Sequence, residues 1–200
     1  MSAYYLRTTA ATVTAVVALP LSLGVFAPQA FADSAASGPS STPSPFGPGC
    51  SSLPHSGKGS TAAMAKERVA TAAANNPGLT KLALALKDAG LTTKLNHAKH
   101  VTVFAPTNAA FNKIPRTQMV DLLRNKEQLK KVLKYHVVDK TITPSELPNG
   151  SFKTLEGSTL KTSGSGTSFK VNDTAKIVCG DIRTANATVY LIDTVLTPPS

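Results

Sequence analysis

His97 and His100 stand three residues apart, close enough to share one face of a helical turn. Zinc requires three or four ligands, and neither a Cys nor a Glu accompanies this pair, so no metal site is predicted. Ser, His and Asp all occur, but no Gly-x-Ser-x-Gly turn exposes a nucleophile. No catalytic residue is therefore assigned, and no enzyme is expected. Ser163–Gly166 is a Gly/Ser run without the Lys-Ser/Thr that completes a phosphate loop, so neither nucleotide nor other cofactor is expected. Cys50 and Cys179 lack the Cys-x-x-Cys spacing of a redox motif. In an exported chain such an even pair most simply closes one disulfide. Asn149, Asn172 and Asn186 each open an Asn-x-Ser/Thr triplet, which matters only in a host with the glycosylation machinery.

Charge offers a second kind of chemistry. Lys and Arg number 21 against 11 Asp and Glu in 200 residues, a formal net charge of +10. Such a balance points to anionic partners without specifying a fold. The excess is concentrated where Lys113, Arg116, Arg124, Lys126, Lys130, Lys131 and Lys134 face only Asp121 and Glu127. Lys126, Lys130 and Lys134 recur at the spacing of one helical face and form a candidate surface for anionic wall polymer, acidic glycan or lipid headgroups. Nucleic acid is not expected, because export removes the usual targets and no aromatic side chains interleave with the cations.

The elements that must position these groups follow from composition and period. Residues 1–32 read as a signal peptide: one Arg, an apolar stretch, then Ala30-Phe31-Ala32 as the cleavage pattern, leaving no transmembrane segment. Residues 33–60 are dominated by Ser, Gly and Pro and read as a linker arm that keeps a folded body at a distance. That body spans 61–199. Thr61–Asn75 reads as an Ala-rich helix, and Leu79, Leu82, Ala83 and Leu86 give the next helix its apolar face, stopped by Gly90. Val101–Ala105 predicts a buried strand, Thr107 and Asn108 cap a brief helix, and 126–134 predicts a helix burying Leu129, Val132 and Leu133. Thr143-Pro144-Ser145-Glu146 forms a capping box. Five short β runs follow from Ser151 to Leu196, spaced as an antiparallel meander whose last, nearly all-apolar run is central. Helices first and strands afterward make the class α+β.

Thr102–Phe111, Leu133–Val138 and Ala185–Pro198 together resemble the fasciclin (FAS1) domain. With the signal peptide and the two Cys segments, the chain is similar to the secreted immunogenic single-domain antigens of mycobacteria and other actinobacteria. The resemblance implies a β-wedge of about seven strands packed against several α-helices, and a role in adhesion rather than catalysis. It also marks Tyr135 and His136, and the Asp181-Ile182 pair before the last box, as binding residues. Cys179, Gly180 and Arg183 depart from the adhesive motif of animal members.

Residue chemistry tempers that assignment. His136 continues the apolar stripe of Leu129, Val132 and Leu133 and suits a satisfied core histidine, while Asp193, in an apolar run, must accept hydrogen bonds. The expected protein is a monomeric, secreted, non-enzymatic interaction module, extracellular or loosely held at the wall. Its partner would be a cell-surface or extracellular-matrix protein, or an anionic wall polymer or glycan. The alternative is a carrier holding a small apolar ligand in an enclosed cavity.

Overall fold

A computed structural model describes residues 44–199. The signal-peptide expectation and the first part of the arm lie outside the described residues. The described helices are α1 (Thr61–Met64), α2 (Val69–Asn75), α3 (Thr80–Asp88), α4 (Thr92–His97), α5 (Asn108–Asn112), α6 (Arg116–Arg124) and α7 (Lys126–Tyr135). The strands are β1 (Val101–Pro106), β2 (Val137–Val138), β3 (Ser151–Lys153), β4 (Thr159–Ser165), β5 (Ser168–Val171), β6 (Ala175–Arg183) and β7 (Ala187–Ile192). They form one seven-stranded sheet in the order β2-β1-β7-β6-β5-β4-β3. The meander from β3 to β7 is antiparallel as its spacing requires, and β1 then joins β7 in parallel register, with Phe104 opposite Tyr190.

That parallel pair is buried on both faces, which is why β1 and β7 carry almost no polar alternation. Val103, Ala105, Val189 and Leu191 point to the helices and pack with Leu82, Leu86, Leu95, Leu129 and Leu133. Phe104, Tyr190 and Ile192 point the other way, into a core closed by Tyr135, Ile142, Leu147, Leu160, Phe169 and Val171. Phe104 stacks on Tyr190 with ring centroids 5.6 Å apart. Each such side chain withdrawn from water stabilises the fold by roughly 1.5–3 kcal/mol.

The expected Thr61–Asn75 helix is two helices. Arg68 is extended between them, and the first amides of α2 are satisfied from far away: Val69 N–H donates to Asn186 Oδ1 at 2.9 Å and Ala70 N–H to Asn96 Oδ1 at 3.0 Å. Side-chain caps reaching in from distant loops replace the hydrogen bonds of a continuous helix. Ser60 caps α1 and Thr107 caps α5 through the amides of Ala63 and Ala110. Helices α4 and α6 were not predicted; α4 fully buries only Leu95, and α6 fully buries no residue, so neither writes a strong apolar period.

The described part of the arm does not stand away from the body. Phe46 bridges to Gly180 through backbone hydrogen bonds of 3.1 and 2.8 Å, and its ring packs edge-on to Phe169 and Tyr190. A Cβ on Gly180 would come within 2.5 Å of that ring, so the close approach requires glycine there. Cys50 is disulfide-bonded to Cys179 on β6, 129 residues away in the chain. The pairing expected from the cysteine count is present; it pins the arm to β6 beside the helix-side core, while Phe46 packs against the other core. Replacing both cysteines by Ser should lower unfolding stability by about 3–5 kcal/mol in urea titration, since the lost loop closure is long. An unchanged midpoint would show that the clamp contributes nothing.

Candidate functional site

The three family-like boxes are built into the interior. In the first, Thr102 Oγ1 donates to the Lys140 carbonyl at 2.6 Å and accepts from the Ile142 amide at 2.8 Å. Asn108 leaves its own helix and ties the start of α3, accepting from Lys81 N–H at 3.0 Å and donating to the Pro77 carbonyl at 2.8 Å. In the last box, Tyr190 donates to the Ile142 carbonyl at 2.9 Å. Asp193 falls just beyond β7 and is partly exposed; it accepts from Lys176 N–H at 2.8 Å and Thr194 Oγ1 at 3.0 Å and pairs with Lys113 at 2.9 Å. These bonds hold its carboxyl below the usual range despite the opposing effect of burial.

Tyr135 and His136 are each 2% exposed. Tyr135 donates to the Thr159 carbonyl at 3.3 Å and accepts from Asn172 Nδ2 at 2.7 Å, joining α7 to the β4–β5 region. His136 uses both ring nitrogens: Nδ1–H donates to the Val132 carbonyl at 2.7 Å, and Nε2 accepts from Leu196 N–H at 2.9 Å. Asp181 and Ile182 are likewise buried, 3% and 0% exposed. Asp181 sits at positive φ (55°) where β6 bulges against β7, a conformation Asp tolerates better than most residues. Burial raises its carboxyl pKa, and the Arg183 guanidinium, 3.1 Å away at Nε, opposes the rise. These four side chains, expected to meet a partner, lie inside the fold: the apolar stripe of α7 and the register of β6 turn them inward.

The lysine row does reach the surface. Lys126, Lys130 and Lys134 run along α7 on the flank of its buried Leu129, Val132 and Leu133; Lys126 is exposed, and Lys130 and Lys134 are half-buried. Glu127 pairs with Lys130 at 2.8 Å, which lowers the Glu127 pKa. Among the described residues no carboxylate lies within ion-pair distance of Lys126 or Lys134.

A second cationic group was not anticipated. Lys66, Arg68, Lys99, His100 and Arg183 line an open cleft of about 600 Å³, together with Thr141 and the 184–188 segment. No Asp or Glu belongs to its lining. These residues are scattered along the chain, so no local charge run announces them. Asn186, at the turn between β6 and β7, draws the segments together, donating to the Leu95 and Ala98 carbonyls at 2.8 Å while capping α2. Its side chain, like that of Asn172, is thereby committed to the fold; of the three triplet asparagines Asn149 is the exposed one.

Between helices and sheet, the cavity lined by Met64, Leu82, Leu86, Val103 and Val189 holds only about 10 Å³. A water-sized void cannot hold an apolar ligand, so the enclosed carrier pocket expected as the alternative is absent there. The larger apolar space, about 440 Å³ among Ile114, Leu122, Val132 and Val195, is an open groove at the surface.

Helices on one face of a seven-stranded wedge, boxes turned inward and cations outward define an α+β scaffold with a basic exterior. A sequence model of the Fasciclin domain matches residues 77–198, and the chain belongs to the fasciclin family. Over 162 residues it is 43% identical to immunogenic protein MPB70 of Mycobacterium bovis, covering 77% of this chain and 82% of that one. Over 149 residues it is 46% identical to cell surface glycolipoprotein MPT83 of Mycobacterium tuberculosis, covering 72% of this chain. The match spans 66% of that glycolipoprotein, just under two thirds of its length. A FAS1 domain pair from the insect cell adhesion molecule Fasciclin I shares the fold, with TM-score 0.50 and 20% identity over 61% of this chain and 46% of that one.

Burial lowers the His136 pKa to about 4, against the opposing effect of the Val132 hydrogen bond. An unfolded histidine titrates near ~6.5, so between that pH and the folded value the unfolded chain binds the extra proton. The contribution of His136 is therefore complete above pH ~6.5 and is lost as pH falls toward the folded pKa. Between pH 7 and 5 the loss should be about 2 kcal/mol. Urea titrations at the two pH values check this, and the extra sensitivity should be missing from His136→Gln, which is itself less stable. Equal pH slopes in both proteins would show that His136 is not buried neutral.

Proposed function

We propose that this protein is an exported, non-enzymatic interaction module that grips anionic wall polymer or glycan at a cell surface. The α7 lysine row carries this reading: Lys126, Lys130 and Lys134 extend along one side of the helix at the surface, with a single carboxylate partner among them. Membership of the fasciclin family, and likeness to a cell surface glycolipoprotein and an immunogenic protein, support an extracellular setting. The inward boxes support a passive role. Both nitrogens of His136 are occupied and Asp181 is held against Arg183, so neither is placed as a general base. Binding by such a face is a sum of weak, screened attractions, which gives retention on an extended polymer and modest affinity for any one group.

A cell-surface or matrix protein is the other partner class, and salt separates the two. The purified mature chain is incubated with cell envelopes and washed as ionic strength rises from about 0.05 to 0.5 M, where the screening length shrinks severalfold. Retention should disappear over that range and fall severalfold in Lys126→Gln/Lys130→Gln/Lys134→Gln at low salt. Salt-stable retention, unaffected by the triple substitution, would replace the polymer with a protein interface of mainly apolar character.

A further inference from the structure

The cleft beside the β6–β7 turn differs in kind from the α7 row. It is concave, its volume is that of a small-molecule site, and its cations arrive from three separate stretches of chain. Lys66 and Arg68 come from the α1–α2 connection, Lys99 and His100 from the α4–β1 connection, and Arg183 from the end of β6. Gathering four fixed positive charges around one hollow without a lining carboxylate costs mutual repulsion, which an anion in the hollow would relieve.

Both arginines have a protein partner beside the cleft. Arg68 Nη1 donates to the Asn96 carbonyl. Arg183 lies against the buried Asp181 carboxylate, yet its Nε is buried without a properly aligned hydrogen bond, and the rest of its side chain is 40% exposed. Asp181 thus pairs with the guanidinium by charge alone, and Arg183 still lines the cleft. A planar fork suits the paired oxygens of phosphate better than a flexible ammonium does. Thr188, almost fully buried, and Thr184 complete the lining.

Charge sets the ligand class. Four cations less the Asp181 partner leave three positive charges. One phosphate group carries about −1.5 to −2 at neutral pH, so two linked phosphates match the cleft where one does not. We infer that the cleft lined by Lys66, Arg68, Lys99 and Arg183 binds a compact diphosphate-type anion, either as a small molecule or as neighbouring phosphates of a polymer. The inference rests on the cleft alone and holds whether or not the α7 row grips a polymer.

The test uses the mature, disulfide-intact chain at low ionic strength, with calorimetric titration of inorganic pyrophosphate, orthophosphate and a short linear polyphosphate. Pyrophosphate should bind at least about tenfold tighter than orthophosphate and raise the melting temperature. Lys66→Glu/Lys99→Glu, at two exposed positions, should weaken pyrophosphate binding by about tenfold or more, whereas the α7 triple substitution should leave it within about twofold. Should the double variant fold poorly, amide shifts in the unmodified chain decide, and these should centre on Lys99, His100 and 184–188. Polyphosphate binding tighter than pyrophosphate assigns the polymer source; equal affinity assigns the small ligand. Pyrophosphate no tighter than orthophosphate, affinity unmoved by the double variant, or shifts centred on α7 would each overturn the inference.

Discussion

The parallel pairing of β1 with β7 is the constraint on which the rest of the molecule depends. Parallel neighbours need a long connection, and here a large part of the domain is that connection: helices α5–α7 and strands β2–β6 all lie between the two in sequence. Once β1 and β7 are aligned, alternate side chains are committed to opposite cores. Val103, Ala105, Val189 and Leu191 must meet helices, and Phe104, Tyr190 and Ile192 must meet the remainder of the wedge. Neither core can form fully without the other, because both share the same two strands.

Polar residues of the boxes answer to that constraint. Strands buried on both faces leave loop and helix-end groups around them without water, so Thr102, His136 and Tyr190 pair with those groups from the side. A sequence pattern that looks like a recognition motif is here a set of internal hydrogen bonds. The chain as a whole carries a large positive excess, and few acidic side chains oppose it. The arm belongs to the same economy of packing: Phe46 covers the second core, which a small wedge would otherwise expose, and the Cys50–Cys179 bond ties the arm to β6 beside the helix-side core.

The two basic surfaces illustrate different routes from residues to chemistry. On α7 the cations are periodic in sequence, and the helix merely displays them. In the cleft they are brought together by Asn186 and by the turn of β6 into β7, and the buried Asp181 at its bulge pairs with one of them. The first arrangement favours an extended partner with repeated charge, the second a compact one, since concavity concentrates field on a small volume.

Local pattern was sufficient for the α+β class, the apolar faces of α3 and α7, the capping at Thr107 and Thr143, the meander, and the lysine row, because each is written in a short period or in adjacent residues. The split of Thr61–Asn75, the weak helices α4 and α6, and the docked arm were illegible, because distant side chains or a single glycine contact create them. By itself the sequence determined which residues are apolar, which are charged, and how often each recurs. Only the tertiary structure decided that Tyr135, His136, Asp181 and Ile182 face inward and that five scattered basic side chains share one cleft, because orientation across a sheet and convergence of loops depend on long-range pairing that no local period encodes.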